Sequence, residues 1–169
     1  QALEMYDAAR DLWIRRAAMP TARRMLAAAE LNGKLYTVGG ATGALNPSAV
    51  LEEFDSAVNR WTAKRSMPMA LYGLAAAAVN GKLYAVGGVT YYGVMRALLV
   101  YDPSLNTWQL RPAMTTARFN LAAATLDGKL YVVGGNLGQN RGVSRSVDVY
   151  DPVSNAWTPR AAMPTARES

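Results

Sequence analysis

The chain has to do its chemistry without two of the most versatile side chains. Its 169 residues include no His and no Cys, so the usual general base, the commonest metal ligand and every thiolate are missing. Most hydrolytic and metal-dependent mechanisms are thereby excluded from this stretch, and no catalytic group, metal site or cofactor is expected. What remains suits recognition. Arg23, Arg118 and Arg167 each close a Met-x-Thr-Ala-Arg sequence. If these arginines met at one opening, they would favour carboxylate or phosphate through bidentate hydrogen bonds. The competing reading is that they bond carbonyls or a nearby acid as framework. Two loop-like stretches add contact groups: Tyr91, Tyr92 and Arg96 in one, and Asn136, Asn140, Arg141 and Arg145 in the other. Exposed aromatics suit a protein contact or sugar stacking, while amides and guanidiniums supply donors.

The elements that would position these groups recur. Trp13, Trp61, Trp108 and Trp157 are spaced by 48, 47 and 49 residues, and Met19, Met67, Met114 and Met163 repeat those steps. Self-similarity at such a period signals a repeat architecture. All the length variation lies between the doublets Gly39-Gly40, Gly87-Gly88 and Gly134-Gly135 and the following Trp, so that interval holds the variable loop of each unit.

Each unit opens with an alanine-rich segment that propensity alone would make helical. It is only about six residues long before Asn32-Gly33, Asn80-Gly81 or Asp127-Gly128, too short to nucleate a helix. Asn-Gly and Asp-Gly are instead strong two-residue hairpin signals. The Lys-Leu-Tyr-x-Val that follows is β-forming. A third strand ending in an aromatic-Asp pair (Leu51 to Asp55, Leu98 to Asp102, Val147 to Asp151) and a fourth opened by Trp complete four antiparallel strands. Alanine on the first strand suits a place where sheets crowd around an axis. The repeated Tyr and Trp are expected to pack between sheets.

Charge and hydropathy set broad limits. A net charge of +6 gives mild attraction to anions, but the basic residues recur at repeat positions without forming a patch, so nucleic acid is not an expected partner. No apolar run approaches the roughly 20 residues of a spanning helix, and no membrane association is expected. The chain begins inside a unit and shows no signal-like start. Compartment is not legible.

Together, Met-Pro-Thr-Ala-Arg, Asn-Gly-Lys-Leu-Tyr-x-Val-Gly-Gly, Tyr-Asp-Pro and Asn-x-Trp resemble the Kelch repeat over essentially the whole chain. The resemblance implies an all-β propeller of four-stranded blades: an outer half-blade over 1–19, blades over 20–67, 68–114 and 115–163, and the start of another over 164–169. Three and a half blades do not close a ring, so the remaining blades are expected from a longer chain or from self-association. The resemblance also implies a pocket at one channel mouth, whose arginine position is held by Arg23, Leu71, Arg118 and Arg167. Tyr72 follows Leu71 at the next position, and Asn136 directly follows a glycine doublet. Kelch-like proteins include binding modules for protein segments, galactose-oxidase-like enzymes and sugar-acid isomerases. The oxidase site needs His and Cys, which this chain lacks. The expectation is a binding module for a protein, an acidic peptide or a small anionic or sugar ligand, with a sugar or sugar-acid enzyme as the alternative.

Overall fold

The computed structural model describes residues 2–168. Its regular structure is entirely strand, and no helix occurs among the described residues. A two-stranded sheet, β1 (Leu3–Asp7) and β2 (Leu12–Arg16), precedes three four-stranded antiparallel sheets. The first contains β3 (Ala27–Leu31), β4 (Lys34–Val38), β7 (Leu51–Asp55) and β8 (Arg60–Lys64); the second β9 (Ala75–Val79), β10 (Lys82–Val86), β13 (Leu98–Asp102) and β14 (Thr107–Arg111). The third contains β15 (Ala122–Leu126), β16 (Lys129–Val133), β17 (Val147–Asp151) and β18 (Ala156–Arg160). Within each sheet the strands follow chain order, as in propeller blades. Two further ribbons fold inside the variable loops: β5 (Ala41–Thr42) with β6 (Asn46–Pro47), and β11 (Val89–Thr90) with β12 (Gly93–Val94).

The inner hairpins form for the expected reason. Asn32 and Gly33 have φ of 55° and 76°, and Asn80-Gly81 and Asp127-Gly128 repeat that pair of left-handed residues, as the tight turn between twisted strands requires. The alanine strand then meets its neighbours. β9 lies between β3 and β15, and Ala75 and Ala77 are buried against the third sheet. Larger side chains would force these inner strands apart.

The glycine doublets let successive blades touch backbone to backbone. The amides of Gly40, Gly88 and Gly135 donate to the carbonyls of Leu71, Arg118 and Arg167 on the next unit at 2.8–2.9 Å. A Cβ on Gly87 would lie 2.5 Å from the Arg118 carbonyl oxygen, at a φ of +68°. No side chain fits there.

A second clasp runs the other way. The Asn59 carboxamide oxygen accepts the Ala17 amide (2.9 Å) while the Trp61 indole donates to the Ala17 carbonyl (2.8 Å). Asn106 and Trp108 grip Arg65 in the same manner. In the third sheet Trp157 donates to the Pro112 carbonyl, and proline has no amide for Asn155 to accept. Each Trp also tilts against its own blade's aromatic, with ring centroids 5.1–5.3 Å apart for Phe54–Trp61, Tyr101–Trp108 and Tyr150–Trp157. These indoles are half-buried at the seam, less interior than expected, whereas Tyr36 and Tyr84 are buried and face Tyr101 and Tyr150 of the next blade. Trp13, which follows no described blade, is 69% exposed.

Candidate functional site

Antiparallel order decides which loops share an end. The segments entering each first strand and the loops after each glycine doublet all lie at one end of the sheets, and the Asn-Gly and Asp-Pro turns lie at the other. Around the inner rim, Gly73 donates its amide to the Met25 carbonyl at 2.9 Å and Asn120 to the Gly73 carbonyl at 2.7 Å. A cavity of about 250 Å³ opens there, lined by Met25, Leu26, Gly73, Leu74 and Asn120.

Two of the expected pocket arginines are elsewhere. Arg118 is fully buried: Nη1 donates to the Gly134 and Ser146 carbonyls at 2.9 and 3.3 Å, and Nη2 to Asp148 Oδ2 at 2.5 Å. Arg23 donates from Nη1 to the Gly39 and Val50 carbonyls, and from Nη2 to Glu52 Oε2 (2.7 Å) and Thr37 Oγ1 (3.0 Å). Its side chain has no exposed surface. The expectation that Arg23 and Arg118 face the channel mouth is therefore corrected. Each guanidinium is drawn inward by a buried carboxylate and by the Gly39 or Gly134 carbonyl, which would otherwise lack a partner. Burial pushes the Arg118 guanidinium below the ordinary arginine value while Asp148 pulls it back up, and it stays charged. In the middle blade Leu71 fills this position against Leu99, both fully buried.

Of the remaining expected residues, Arg167 is exposed; its carbonyl accepts the Gly135 amide, and its guanidinium has no partner among the described residues. Tyr72 is half-buried and pairs its backbone with Val89. Asn136 bridges Phe119 and Val143 through its backbone, and its carboxamide oxygen takes the Gly138 amide at 2.8 Å, so its side chain shapes the loop. Arg96, Asn140, Arg141 and Arg145 are exposed, with Arg141 donating to the Leu137 carbonyl at 2.8 Å. The second and third variable loops meet where a Cβ on Gly138 would come 2.6 Å from Val94 Cγ2.

The clearest opening at this end surrounds the second loop. Met69, Ala70, Thr90, Tyr91, Tyr92 and Met95 line an apolar cavity of about 310 Å³, where Tyr91 is 70% and Tyr92 99% exposed. Arg24, Arg96, Arg141, Arg145 and Arg167 are all exposed on the segments of this end, and Glu168 is their only acid among the described residues. Met69 and Met95 were not picked out from the sequence, since neither stands at a repeating methionine position. Glu52 and Asp148 were missed too, although an acid stands two places before the aromatic in both units that have arginine, and a leucine in the unit that has leucine. No group of three or more His, Cys, Asp or Glu suited to a metal occurs among the described residues.

Comparison with known proteins agrees with this architecture. No curated protein matches the sequence. A solved structure titled "Structure of YjhT" superposes with a TM-score of 0.82 at 18% identity, covering 99% of this chain and 60% of that one. The chain thus spans about 60% of that protein's length, and at this identity the likeness concerns the fold. The model of the KLHDC2/KLHL20/DRC7 Kelch-repeats domain matches residues 3–169, and, with its three four-stranded blades and one two-stranded sheet, the chain belongs to the Kelch-repeat β-propeller family.

Proposed function

We propose that the chain is part of a protein-interaction module that binds a partner segment at the loop end of its blades. The patch of Tyr91, Tyr92, Met69 and Met95 takes an aromatic or aliphatic anchor, and the surrounding arginines take flanking carboxylates. The observation that carries this reading is the pair of solvent-facing tyrosines over two methionines. Exposed aromatics beside apolar, deformable side chains are the common anchor of protein interfaces. The arginine-rich rim adds attraction for anions.

The test is a titration with acidic peptides that carry one aromatic residue, against versions with that residue replaced by Ser. Tyr91→Ser/Tyr92→Ser is expected to weaken binding of the aromatic peptide by roughly thirtyfold or more, the loss of a single interface anchor. Raising salt should weaken binding further by screening the exposed rim charges. Unchanged affinity in the double variant, or turnover of a sugar acid by the chain, would overturn the proposal.

A further inference from the structure

The three blades contain two kinds of joint between their inner and outer halves. Arg23 meets Glu52 in the first and Arg118 meets Asp148 in the third, whereas Leu71 meets Leu99 in the middle one. The middle blade departs from its neighbours at two further positions. Where they carry Thr21 and Thr116, two residues after the recurring Met, it carries Met69, and where they carry Ser48 and Ser144 it carries Met95. The second equivalence is visible in the backbone: the amides of Ser48, Met95 and Ser144 donate to the carbonyls of Gly40, Gly88 and Gly135 at 2.7–2.8 Å. The hydroxyls of the outer blades are bonded, Thr21 to Glu52 Oε1 at 2.7 Å, and Ser48 and Ser144 to the Val50 and Ser146 amides. Their methionine replacements instead pack on the core that contains Leu71 and Leu99. Their other side lines the open cavity shared with Tyr91 and Tyr92.

A thioether sulfur that a hydroperoxide can reach is oxidised to the sulfoxide, and the chain offers eight methionines. Met67 and Met114 are 4% and 0% exposed. Guanidiniums engage the sulfurs of Met5, Met19 and Met114, with Arg16, Arg23 and Arg118 donating from Nη2 at 3.5, 3.7 and 3.5 Å. Met25 and Met163 line no part of the tyrosine cavity. Met69 and Met95 are half-buried beside it, and their sulfurs accept no hydrogen bond among the described residues. Met95 is also fixed in place, because its carbonyl accepts the Arg118 amide at 3.1 Å while its own amide is held by Gly88.

We infer that Met69 and Met95 form a reversible oxidation site, at which a hydroperoxide turns the apolar floor of the cavity polar and releases a bound partner. A sulfur lone pair attacks one peroxide oxygen, an S–O bond forms as the O–O bond breaks, and the departing hydroxide takes the remaining hydroxyl proton to leave as water. The sulfur loses two electrons and the peroxide gains them. An apolar anchor seated on the sulfoxide would bury its oxygen without a donor, and a methionine sulfoxide reductase restores the thioether. The effect on a partner rests on the binding reading above, whereas the oxidation itself does not.

The test treats the full chain with hydrogen peroxide and follows each methionine by peptide mass spectrometry. Met69 and Met95 should each gain an oxygen at least about tenfold faster than Met67 and Met114; equal rates would overturn the inference. The oxidised chain should then bind the aromatic acidic peptide at least about tenfold more weakly than the untreated chain, and sulfoxide reductase should return the lost affinity. In Met69→Leu/Met95→Leu, whatever affinity that variant has, peroxide should not alter it. Affinity retained after oxidation, or a loss that persists in the leucine variant, would overturn the switch. A chain that binds the peptide neither before nor after treatment would overturn the binding reading and the switch together, while the oxidation rates still decide the site.

Discussion

Replacing Arg118 with Leu should strongly destabilise the third blade, and replacing Asp148 with Leu as well should restore most of the lost stability. In the single variant Asp148, whose side chain is 7% exposed, loses the cation 2.5 Å away. The Gly134 carbonyl loses the donor at 2.9 Å, while the Ser146 carbonyl keeps the Gly134 amide at 3.0 Å. Breaking one side of a buried ion pair costs about 3–5 kcal/mol, a large share of the roughly 5–15 kcal/mol that holds a typical domain. The double variant exchanges the pair for the arrangement already present as Leu71 against Leu99, each with no exposed surface. Because a buried ion pair replaced by packed apolar groups is often neutral, its loss should stay within about 1–2 kcal/mol, chiefly from the freed carbonyl. Urea unfolding followed by tryptophan fluorescence provides the comparison. A double variant as damaged as the sum of the singles would refute the idea that these joints are interchangeable, and a near-neutral Arg118→Leu would refute the burial of the pair.

Gly87→Ala should cost well over the roughly 1–2 kcal/mol of a left-handed residue, since its Cβ would meet the Arg118 carbonyl at 2.5 Å, whereas Gly81→Ala, with nothing within 4 Å, should cost only that backbone strain. Denaturant midpoints of the two variants test this; equal losses would mean the blades part easily. Asn106→Ala should cost about 1 kcal/mol through the stranded Arg65 amide, and Asn155→Ala less, because Pro112 offers no amide to accept; thermal shifts decide between them. Burial alone would raise the Glu53 carboxyl, but bonds from Tyr36, Lys34 and Lys64 outweigh it and hold the group below its ordinary value of 4.5. A group depressed in the native state stabilises fully above its unfolded value and loses that contribution as pH falls through its native one. Stability should therefore decline below about pH 4.5, less steeply in Glu53→Gln, as urea midpoints between pH 7 and 3 would reveal.

The blade plan was legible because it is written in local signals: Asn-Gly turns, glycine doublets and a fixed Trp spacing each have one structural solution, repeated. The short ribbons β5–β6 and β11–β12 were not, since two-residue strands have no periodicity to detect. The arginines misled for a physical reason. Equivalent positions do converge on one end of the sheets, but whether a side chain then turns to solvent or inward depends on an acid 29 or 30 residues away, as with Glu52 for Arg23 and Asp148 for Arg118. Tyr91 and Tyr92 stayed exposed as read, because no repeat partner exists to cover them.

The indole clasps also give the chain a direction in time. Each reaches back to a carbonyl 43–45 residues earlier, so during synthesis a new blade finds its anchor already emerged. At roughly 5–20 residues per second, a blade would wait on the order of 2–9 s before the next tryptophan arrives to fasten it. A growing polypeptide of this design can lock its turns one after another, like a zip fastener closing behind the ribosome.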